Sequence, residues 1–153
     1  LDTRKTTPNF RIAEKWAVEI GGGTNHRFGL YDMVMLKDNH IDFAGGVAKA
    51  LKSTKSYLKK SKKKLKIEIE VRSLQELREV IEEGGIDRIM LDNMMPSQMR
   101  QGIAMIAGKY ETEASGGITE MSISEIADTG VDYISVGALT HSYKSLDMSL
   151  KAI

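Results

Sequence analysis

The chain has 153 residues, of which 41% are hydrophobic and 28% are charged, a composition typical of one globular domain. Its 22 basic and 21 acidic side chains leave a net charge of +1, so no chain-wide field attracts nucleic acid or an anionic membrane. The absence of cysteine excludes disulfide scaffolds, Cys-based zinc sites and thiol nucleophiles, and no apolar run is long enough to span a membrane. No secretory signal is visible, so we expect a cytoplasmic protein.

Helical and strand patterns alternate along the chain. Helical spacing of apolar residues, helix-opening prolines and glycine stops predict helices over residues 8–20, about 43–60, 74–83, 96 to about 108, and 119–129. Ser73 caps the third of these, with Glu76 in the capping-box position. Apolar runs and alternation predict strands over 33–36, 65–71, 86–91, 111–114 and 131–136, with 1–3 as the tail of a sixth. This order predicts βαβ units and a parallel sheet.

Polar motifs follow directly on the predicted strands. Parallel α/β folds place their sites at the carboxyl ends of strands. A doubly wound sheet also fits this pattern, but motifs at so many strand ends, without a single switch point, favour a barrel. The motifs are Lys37-Asp38-Asn39-His40, Glu70, Asp92-Asn93, Ser115-Gly116-Gly117, and Ser135 with Gly137 and Thr140-His141-Ser142.

Several cations stand beside these motifs. Taken singly, each reads as a surface charge, but a lysine at the end of a buried strand is costly unless an anion pairs with it. In a barrel these cations converge, and the pocket then suits a small molecule with several negative charges. They are Arg4, Lys5, His26, Arg27 and Lys37.

The acidic residues leave two interpretations open. Glu68 and Glu70 are two apart on a strand and share one face, and Asp92 ends the next strand. They form structural ion pairs with Lys37 or Arg27, or they hold sugar hydroxyls or Mg²⁺. The glycine turns after the last two strands indicate a phosphate site. Histidine spacing indicates no zinc site, and no nucleophile-elbow, Walker A or Rossmann motif is present.

Six motifs in order resemble quinolinate phosphoribosyltransferase (decarboxylating), also called nicotinate-nucleotide pyrophosphorylase. They are DTRKTTP (2–8), GGGTNHRFGL (21–30), KDNH (37–40), LDNM (91–94), ASGGI (114–118) and GVDYISVGALTH (130–141). The resemblance covers the whole chain; Asn9-Phe10 replaces the family's usual Gly-Leu. It implies an enzyme of NAD biosynthesis that joins quinolinate to phosphoribosyl pyrophosphate with Mg²⁺, giving nicotinate mononucleotide, pyrophosphate and CO₂.

The resemblance also implies a fold and an assembly. The fold is an incomplete, six-stranded, TIM-barrel-like α/β barrel occupying residues 1–153. The family's N-terminal α+β domain precedes this barrel, and the start at Leu1 without an initiator Met leads us to expect a piece of a longer protein. That longer protein is expected to form a homodimer or higher homo-oligomer, in which the N-terminal domain helps to close the partner's site.

Matching motifs imply a role for each site residue. Quinolinate's two carboxylates would be bound by Arg4, Lys5, His26, Arg27 and Lys37. Ribose hydroxyls and Mg²⁺, directly or indirectly, would be held by Glu70 and Asp92, which act in catalysis with Lys5 and Lys37. The phosphate side of the sugar donor would be received by Ser115, Gly116, Gly137 and His141, together with Glu70 and Asp92. Glu68 remains an alternative to Glu70, because both face one way.

Two competing interpretations remain. One is a barrel enzyme of the same family with another substrate, such as the paralogue linked to molybdenum transport. That paralogue typically lacks the Lys-Asp-Asn-His form of the third motif, which this chain retains at 37–40. The other is a non-catalytic fragment or regulatory barrel. Binding of quinolinate but not nicotinate would favour the transferase, since only quinolinate carries both carboxylates.

Overall fold

A computed structural model describes residues 1–153 and contains five strands and seven helices. The strands are β1 (Met33–Leu36), β2 (Lys66–Val71), β3 (Arg88–Asp92), β4 (Glu111–Ser115) and β5 (Tyr133–Ile134). The helices are α1 (Arg11–Ile20), α2 (Asp38–Ala44), α3 (Val47–Ser61), α4 (Leu74–Glu83), α5 (Pro96–Ile106), α6 (Ile123–Ala127) and α7 (Ala138–His141). None of these helices has the length and apolarity needed to cross a membrane.

The five strands form one parallel sheet in the order β1-β2-β3-β4-β5. The predicted α/β fold with a parallel sheet is therefore confirmed. Residues 1–3, expected as the tail of a sixth strand, lie outside the five regular strands. Leu1 nevertheless lies against the edge of β5, where its carbonyl accepts a hydrogen bond from the Val136 amide at 2.9 Å.

The two faces of the sheet differ in chemistry. Ile67 and Ile69 of β2 alternate with charged residues. Together with Ile89 of β3 they belong to a core of 19 buried apolar residues that also contains Leu51, from α3, and Leu77, from α4. The helices cover this apolar face, as expected for a parallel sheet. The charged positions between these residues point to the opposite face, where the candidate site lies.

Two helix predictions differ from the structure at their boundaries, and the backbone explains both. The first helix begins at Arg11 rather than at Pro8, because Asn9 has a left-handed φ of 63° and a turn precedes the helix. The helix predicted over about 43–60 begins only at Val47, as α3, and the two residues 43–44 are the end of a separate helix, α2 (Asp38–Ala44). Gly45 and Gly46, with φ of 80° and 118°, separate α2 from α3.

The predicted elements at the C-terminal end are shorter in the structure. The helix predicted over 119–129 spans Ile123–Ala127, because Thr119 and Ser122 form a hydrogen-bonded turn ahead of it. The last strand covers Tyr133–Ile134, although the Ser135 amide continues its pairing with the Ala114 carbonyl of β4 at 2.9 Å.

The predicted cap of α4 is present. Ser73 Oγ accepts a hydrogen bond from the Glu76 amide at 3.1 Å. Glu76 does not complete a capping box, because its carboxylate accepts from the Arg72 amide at 2.7 Å instead of the Ser73 amide. This cap fixes the β2–α4 turn at the carboxyl end of β2, beside the candidate site.

Candidate functional site

A cavity of about 160 Å³ opens next to the charged face of the sheet. The structure brings together around it all five cations singled out in the sequence: Arg4, Lys5, His26, Arg27 and Lys37. The wall is completed by Asp2, Thr3, Met35, Met90, Glu113 and Ser135. Such a convergence of cations suits a small ligand with more than one negative charge.

A buried ion pair holds the two segments that carry these cations. The Lys15 ammonium of α1 lies 2.7 Å from Asp2 Oδ1, and both side chains are almost inaccessible to solvent. Asp2 Oδ1 also accepts a hydrogen bond from the His26 amide at 2.7 Å, and Lys15 Nζ donates to the His26 carbonyl at 3.0 Å. The N-terminal segment, α1 and the 21–29 connection are thereby joined at the cavity wall.

Arg27 is fixed within this wall. Its Nη1 donates to the Met33 carbonyl at 3.2 Å, which ties the guanidinium to β1. Burial and the nearby positive charge of Arg4 lower the pKa of Arg27. Two guanidinium groups held near each other favour an anionic ligand, because an anion between them relieves their repulsion.

The two acids assigned to the sugar and metal differ in their contacts. Glu70 Oε2 lies 2.7 Å from Lys37 Nζ, so the ion-pair interpretation holds for this carboxylate in the structure. Asp92, at the end of β3, has no cation partner and accepts a hydrogen bond from Asn93 Nδ2 at 2.7 Å. Met90 pairs in register with Glu70, so Asp92 lies two residues further along the neighbouring strand, on the same face.

Glu68 and Glu70 share one face, as predicted, but have different surroundings. Glu68 is completely buried, and its Oε2 lies 3.0 Å from His26 Nε2. Glu113 of β4 is equally buried, with Oε2 at 3.3 Å from His26 Nε2 and 3.0 Å from Arg88 Nη1. These four side chains, Glu68, Glu113, His26 and Arg88, form a buried charge cluster at the cavity.

Proton affinities in the cluster follow from burial and contact. Burial lowers the pKa of His26, but its contacts with Glu113 and Glu68 prevail and raise that pKa to about 9. Burial raises the pKa of Glu68. Burial also acts to raise the pKa of Glu113, but the contacts with His26, Ser135 and Arg88 together prevail and lower it. His26 Nδ1 accepts from the Arg27 amide at 2.6 Å, which opposes a proton there. A proton on Nε2 therefore lies between the two carboxylates.

The residues assigned to the phosphate side lie at the ends of β4 and β5, outside the cavity lining. Ser115 pairs in register with Asp92. Gly116 has a φ of 99°, and a Cβ there would lie 2.2 Å from Asn93 Oδ1, so glycine is required. Gly137 precedes the short helix α7 and packs against His141, whose Nε2 would be 2.5 Å from an added Cβ.

A larger cleft, of about 540 Å³, opens at the opposite ends of the strands. Lys66, Asp87 and Glu111 are among its lining residues, and none of the predicted site residues is. In parallel α/β folds the amino ends of the strands serve stability, and ligands bind at the carboxyl ends. The smaller, cation-lined cavity is therefore the candidate site.

Sequence reasoning missed four residues that build this site. Glu113 and Arg88 were detectable by the same two-residue alternation that identified Glu68 and Glu70, since they occupy equivalent positions on neighbouring strands. Asp2 and Lys15 gave no such signal. Their contact brings together two segments that no local pattern connects.

The sequence profile described as quinolinate phosphoribosyl transferase, C-terminal domain, matches residues 1–151. The chain belongs to the quinolinate phosphoribosyltransferase family. Among curated relatives, quinolinate phosphoribosyltransferase [decarboxylating] 2, mitochondrial, of Nicotiana glauca is 51% identical over 165 residues, covering 99% of this chain and 47% of the relative. The probable nicotinate-nucleotide pyrophosphorylase [carboxylating] of Bacillus subtilis is 48% identical, covering 97% of this chain and 50% of the relative.

Solved structures of the family agree with this fold. NadC from Streptococcus pyogenes superposes with a TM-score of 0.91 at 49% identity, covering 99% of this chain and 52% of that one. The nicotinate-nucleotide pyrophosphorylase from Francisella tularensis gives a TM-score of 0.89 at 45% identity, covering 97% and 51%. The chain spans about half the length of these family members.

Proposed function

We propose that the protein containing this chain catalyses the decarboxylating transfer of a phosphoribosyl group to quinolinate, as the family name indicates. The observation that carries the proposal is the cavity lined by Arg4, Lys5, Arg27 and Lys37 together with His26. Quinolinate is a small dianion with two adjacent carboxylates, and charge-assisted hydrogen bonds to several fixed cations suit it. A neutral ligand would gain little there.

The proposed reaction needs positioning and charge rather than a covalent nucleophile. The pyridine nitrogen bonds to C1 of the ribose as the bond from C1 to pyrophosphate breaks. The oxocarbenium-like centre between these events is stabilised by nearby carboxylates, as in glycosidases. The ring nitrogen is then cationic, so CO₂ leaves the adjacent carbon, the bonding electrons stay on that carbon, and a proton replaces the carboxylate. Fixed cations that orient quinolinate supply most of the acceleration.

Glu70 and Asp92 are proposed to bind the ribose hydroxyls and Mg²⁺ on this site's sugar side. Their oxygen donors fit a hard cation, which proteins commonly hold through one or two carboxylates and substrate phosphates. Asp92 has no cation partner, whereas Glu70 would share its charge with Lys37. When bound, Mg²⁺ would neutralise charge on the leaving pyrophosphate. Ser115, Gly116, Gly137 and His141 are proposed to face the donor's phosphate.

The sheet is proposed to be part of an incomplete six-stranded barrel. Support comes from the edge of β5, where the Val136 amide donates a hydrogen bond to the Leu1 carbonyl. Leu1 thus lies where a sixth strand would pair with the sheet. We also propose a homo-oligomer, in support of which α1 and the residue before it expose a row of large apolar side chains. These are Phe10, Ile12, Trp16 and Ile20, which are 56–74% exposed.

Cytoplasmic location remains a prediction. The printed names of relatives include mitochondrial and chloroplastic forms as well as a bacterial protein.

An assay of the full natural protein tests the proposed function. Quinolinate labelled in the carboxylate next to the ring nitrogen is incubated with phosphoribosyl pyrophosphate and Mg²⁺, and released CO₂ and nicotinate mononucleotide are measured. We expect the two products in equal amounts, and only when the sugar donor is present. Nicotinate in place of quinolinate is the matched control and should give no product. Turnover of nicotinate, or none of quinolinate, would contradict the proposal.

A further inference from the structure

Thr140 is a buried polar residue on an otherwise exposed helix. Its neighbours in α7, Leu139 and His141, are exposed, whereas Thr140 itself is fully buried. A buried hydroxyl requires a hydrogen-bond partner, and its own helix offers the Gly137 carbonyl only at the long distance of 3.5 Å. The shorter contact, at 2.8 Å, is the hydrogen bond that Thr140 Oγ1 donates to the carbonyl of Lys5.

This hydrogen bond fixes the backbone of a residue that lines the cavity. Lys5 is one of the cavity cations, and no backbone amide donates to its carbonyl. The preceding carbonyl, that of Arg4, accepts a hydrogen bond from Arg11 Nη2 of α1 at 3.1 Å. The segment that carries both cations is therefore anchored to α1 at one carbonyl and to α7 at the next, and Thr140 provides the second anchor.

A second contact joins the same two parts of the chain. The Val136 amide donates a hydrogen bond to the Leu1 carbonyl at 2.9 Å, and the two partners of the Thr140 bond lie equally far along the chain from these residues. Residues 1–5 and 136–140 therefore run side by side in the same direction. The second of these segments includes the turn proposed to face the donor's phosphate, so the two halves of the site meet along this line.

We propose that Thr140 is a positioning residue for Lys5, whose backbone it fixes so that the ammonium group is held at the cavity. Thr140 is not among the residues that line the cavity, so it acts through Lys5 rather than on the ligand. A cation that binds a small ligand has to be held close to the productive geometry by groups behind it. The identity of this ligand, quinolinate, rests on the proposed function.

Another threonine of the chain makes the same kind of bond away from the cavity. Thr129 is buried, and its Oγ1 donates a hydrogen bond to the Ile126 carbonyl of α6 at 2.6 Å. Thr129 also lies outside the cavity lining, and its partner carries no charge. Loss of either hydroxyl should lower the stability of the fold, because each satisfies a backbone carbonyl. Only loss of the Thr140 hydroxyl should change the position of Lys5.

The experiment measures Kd for quinolinate by calorimetry in the full natural protein and in Thr140→Val, Thr140→Ser and Thr129→Val. Valine keeps the branched shape of threonine but lacks its hydroxyl, whereas serine keeps the hydroxyl. We expect Thr140→Val to weaken binding roughly three- to tenfold, the scale of one hydrogen bond, and Thr140→Ser to stay within about twofold of the natural protein. Thr129→Val should bind as the natural protein does. Natural affinity in Thr140→Val, or an equal loss in Thr140→Ser, would overturn the proposal.

A double-mutant cycle with Lys5→Met separates positioning of Lys5 from general damage to the cavity. Once the Lys5 ammonium is absent, Thr140→Val should weaken quinolinate binding by less than about twofold, because the group through which Thr140 acts is gone. The same loss in both backgrounds would overturn the proposal, since Thr140 would then act on another part of the site. If Thr140→Val does not fold, Thr140→Ala, which cannot overpack the site, takes its place in both measurements with the same expectations.

Failure of the proposed function would be visible separately. If the natural protein binds no quinolinate, that function is wrong, and the positioning role is then judged by amide hydrogen exchange without ligand. The amides of residues 2–7 should exchange faster in Thr140→Val than in the natural protein, and at the natural rate in Thr129→Val, because only the first variant releases this segment from α7. Unchanged exchange of residues 2–7 in Thr140→Val would overturn the inference independently of the ligand.

Discussion

At the scale of single residues, the cations of the cavity are the first groups to test. Arg27→Ala and Lys5→Ala should each raise KM for quinolinate and lower turnover while leaving the fold intact. The loss of one charge-assisted hydrogen bond to a dianion costs roughly 1.5–3 kcal/mol. Steady-state kinetics on the full natural protein measure the effect. Arg78→Ala, an exposed arginine on α4, is the matched control and should behave as the natural protein. Natural kinetics in Arg27→Ala or Lys5→Ala would contradict the pocket assignment.

The acidic half of the site makes a different prediction. Asp92→Asn should raise KM for phosphoribosyl pyrophosphate more than it raises Kd for quinolinate, because Asp92 lies at the strand end assigned to ribose and Mg²⁺. Titration of each substrate in turn, at several Mg²⁺ concentrations, separates the two effects. Asp128→Asn, an exposed residue after α6, serves as the control. The reverse order of effects would mean that the two halves of the site are exchanged.

Individual site residues differ in how far the sequence predicts them. Lys37 and Asp92 follow directly on apolar runs, so strand periodicity alone gives their position at a carboxyl end. The contact of His26 with Glu113 is invisible to local pattern, because it joins a connection before β1 to the fourth strand. The sequence thus predicts which cations converge, but it does not predict which of them contact carboxylates of the same chain.

At the scale of elements, the stability contributed by the Ser73 cap of α4 can be measured directly. Ser73→Ala should lower the free energy of unfolding by about 1 kcal/mol, because the Glu76 amide loses the oxygen that accepts its hydrogen bond. Urea unfolding followed by circular dichroism measures this change. Ser56→Ala, at an exposed position within α3, is the control and should be neutral or slightly stabilising. Equal stability of the two variants would mean that the cap contributes nothing.

Element boundaries follow backbone conformation more than hydrophobic pattern. The helical pattern over 43–60 continues through Gly45-Gly46, because a glycine inside a helix costs only about 1 kcal/mol and does not by itself indicate a break. The break arises from the φ values of 80° and 118° that both glycines adopt, which other residues rarely reach. The positions of the strands are predicted better than the helix boundaries, because short apolar runs flanked by polar motifs fit few other structures.

At the scale of the whole molecule, the fold leaves an apolar row and a strand edge open to water. Trp16 and Ile12 of α1 are 64% and 74% exposed, and β5 pairs on its outer side only with Leu1. Isolated soluble domains rarely leave such a row of apolar side chains, or an unpaired edge, open to water. The chain also spans about half the length of these relatives.

We therefore expect the 153-residue chain, produced alone, to bind phosphate-bearing ligands weakly and to have little or no transferase activity. If the expected N-terminal domain helps to close the partner's site, the cavity of about 160 Å³ in this chain would lack that wall. The measurement compares turnover and sedimentation of this chain with those of the full natural protein at equal concentration. Trp16→Glu in the full protein is the companion variant and should reduce assembly by placing a charge on the apolar face of α1. Rapid turnover by the isolated, monomeric chain would contradict a site shared between domains and subunits.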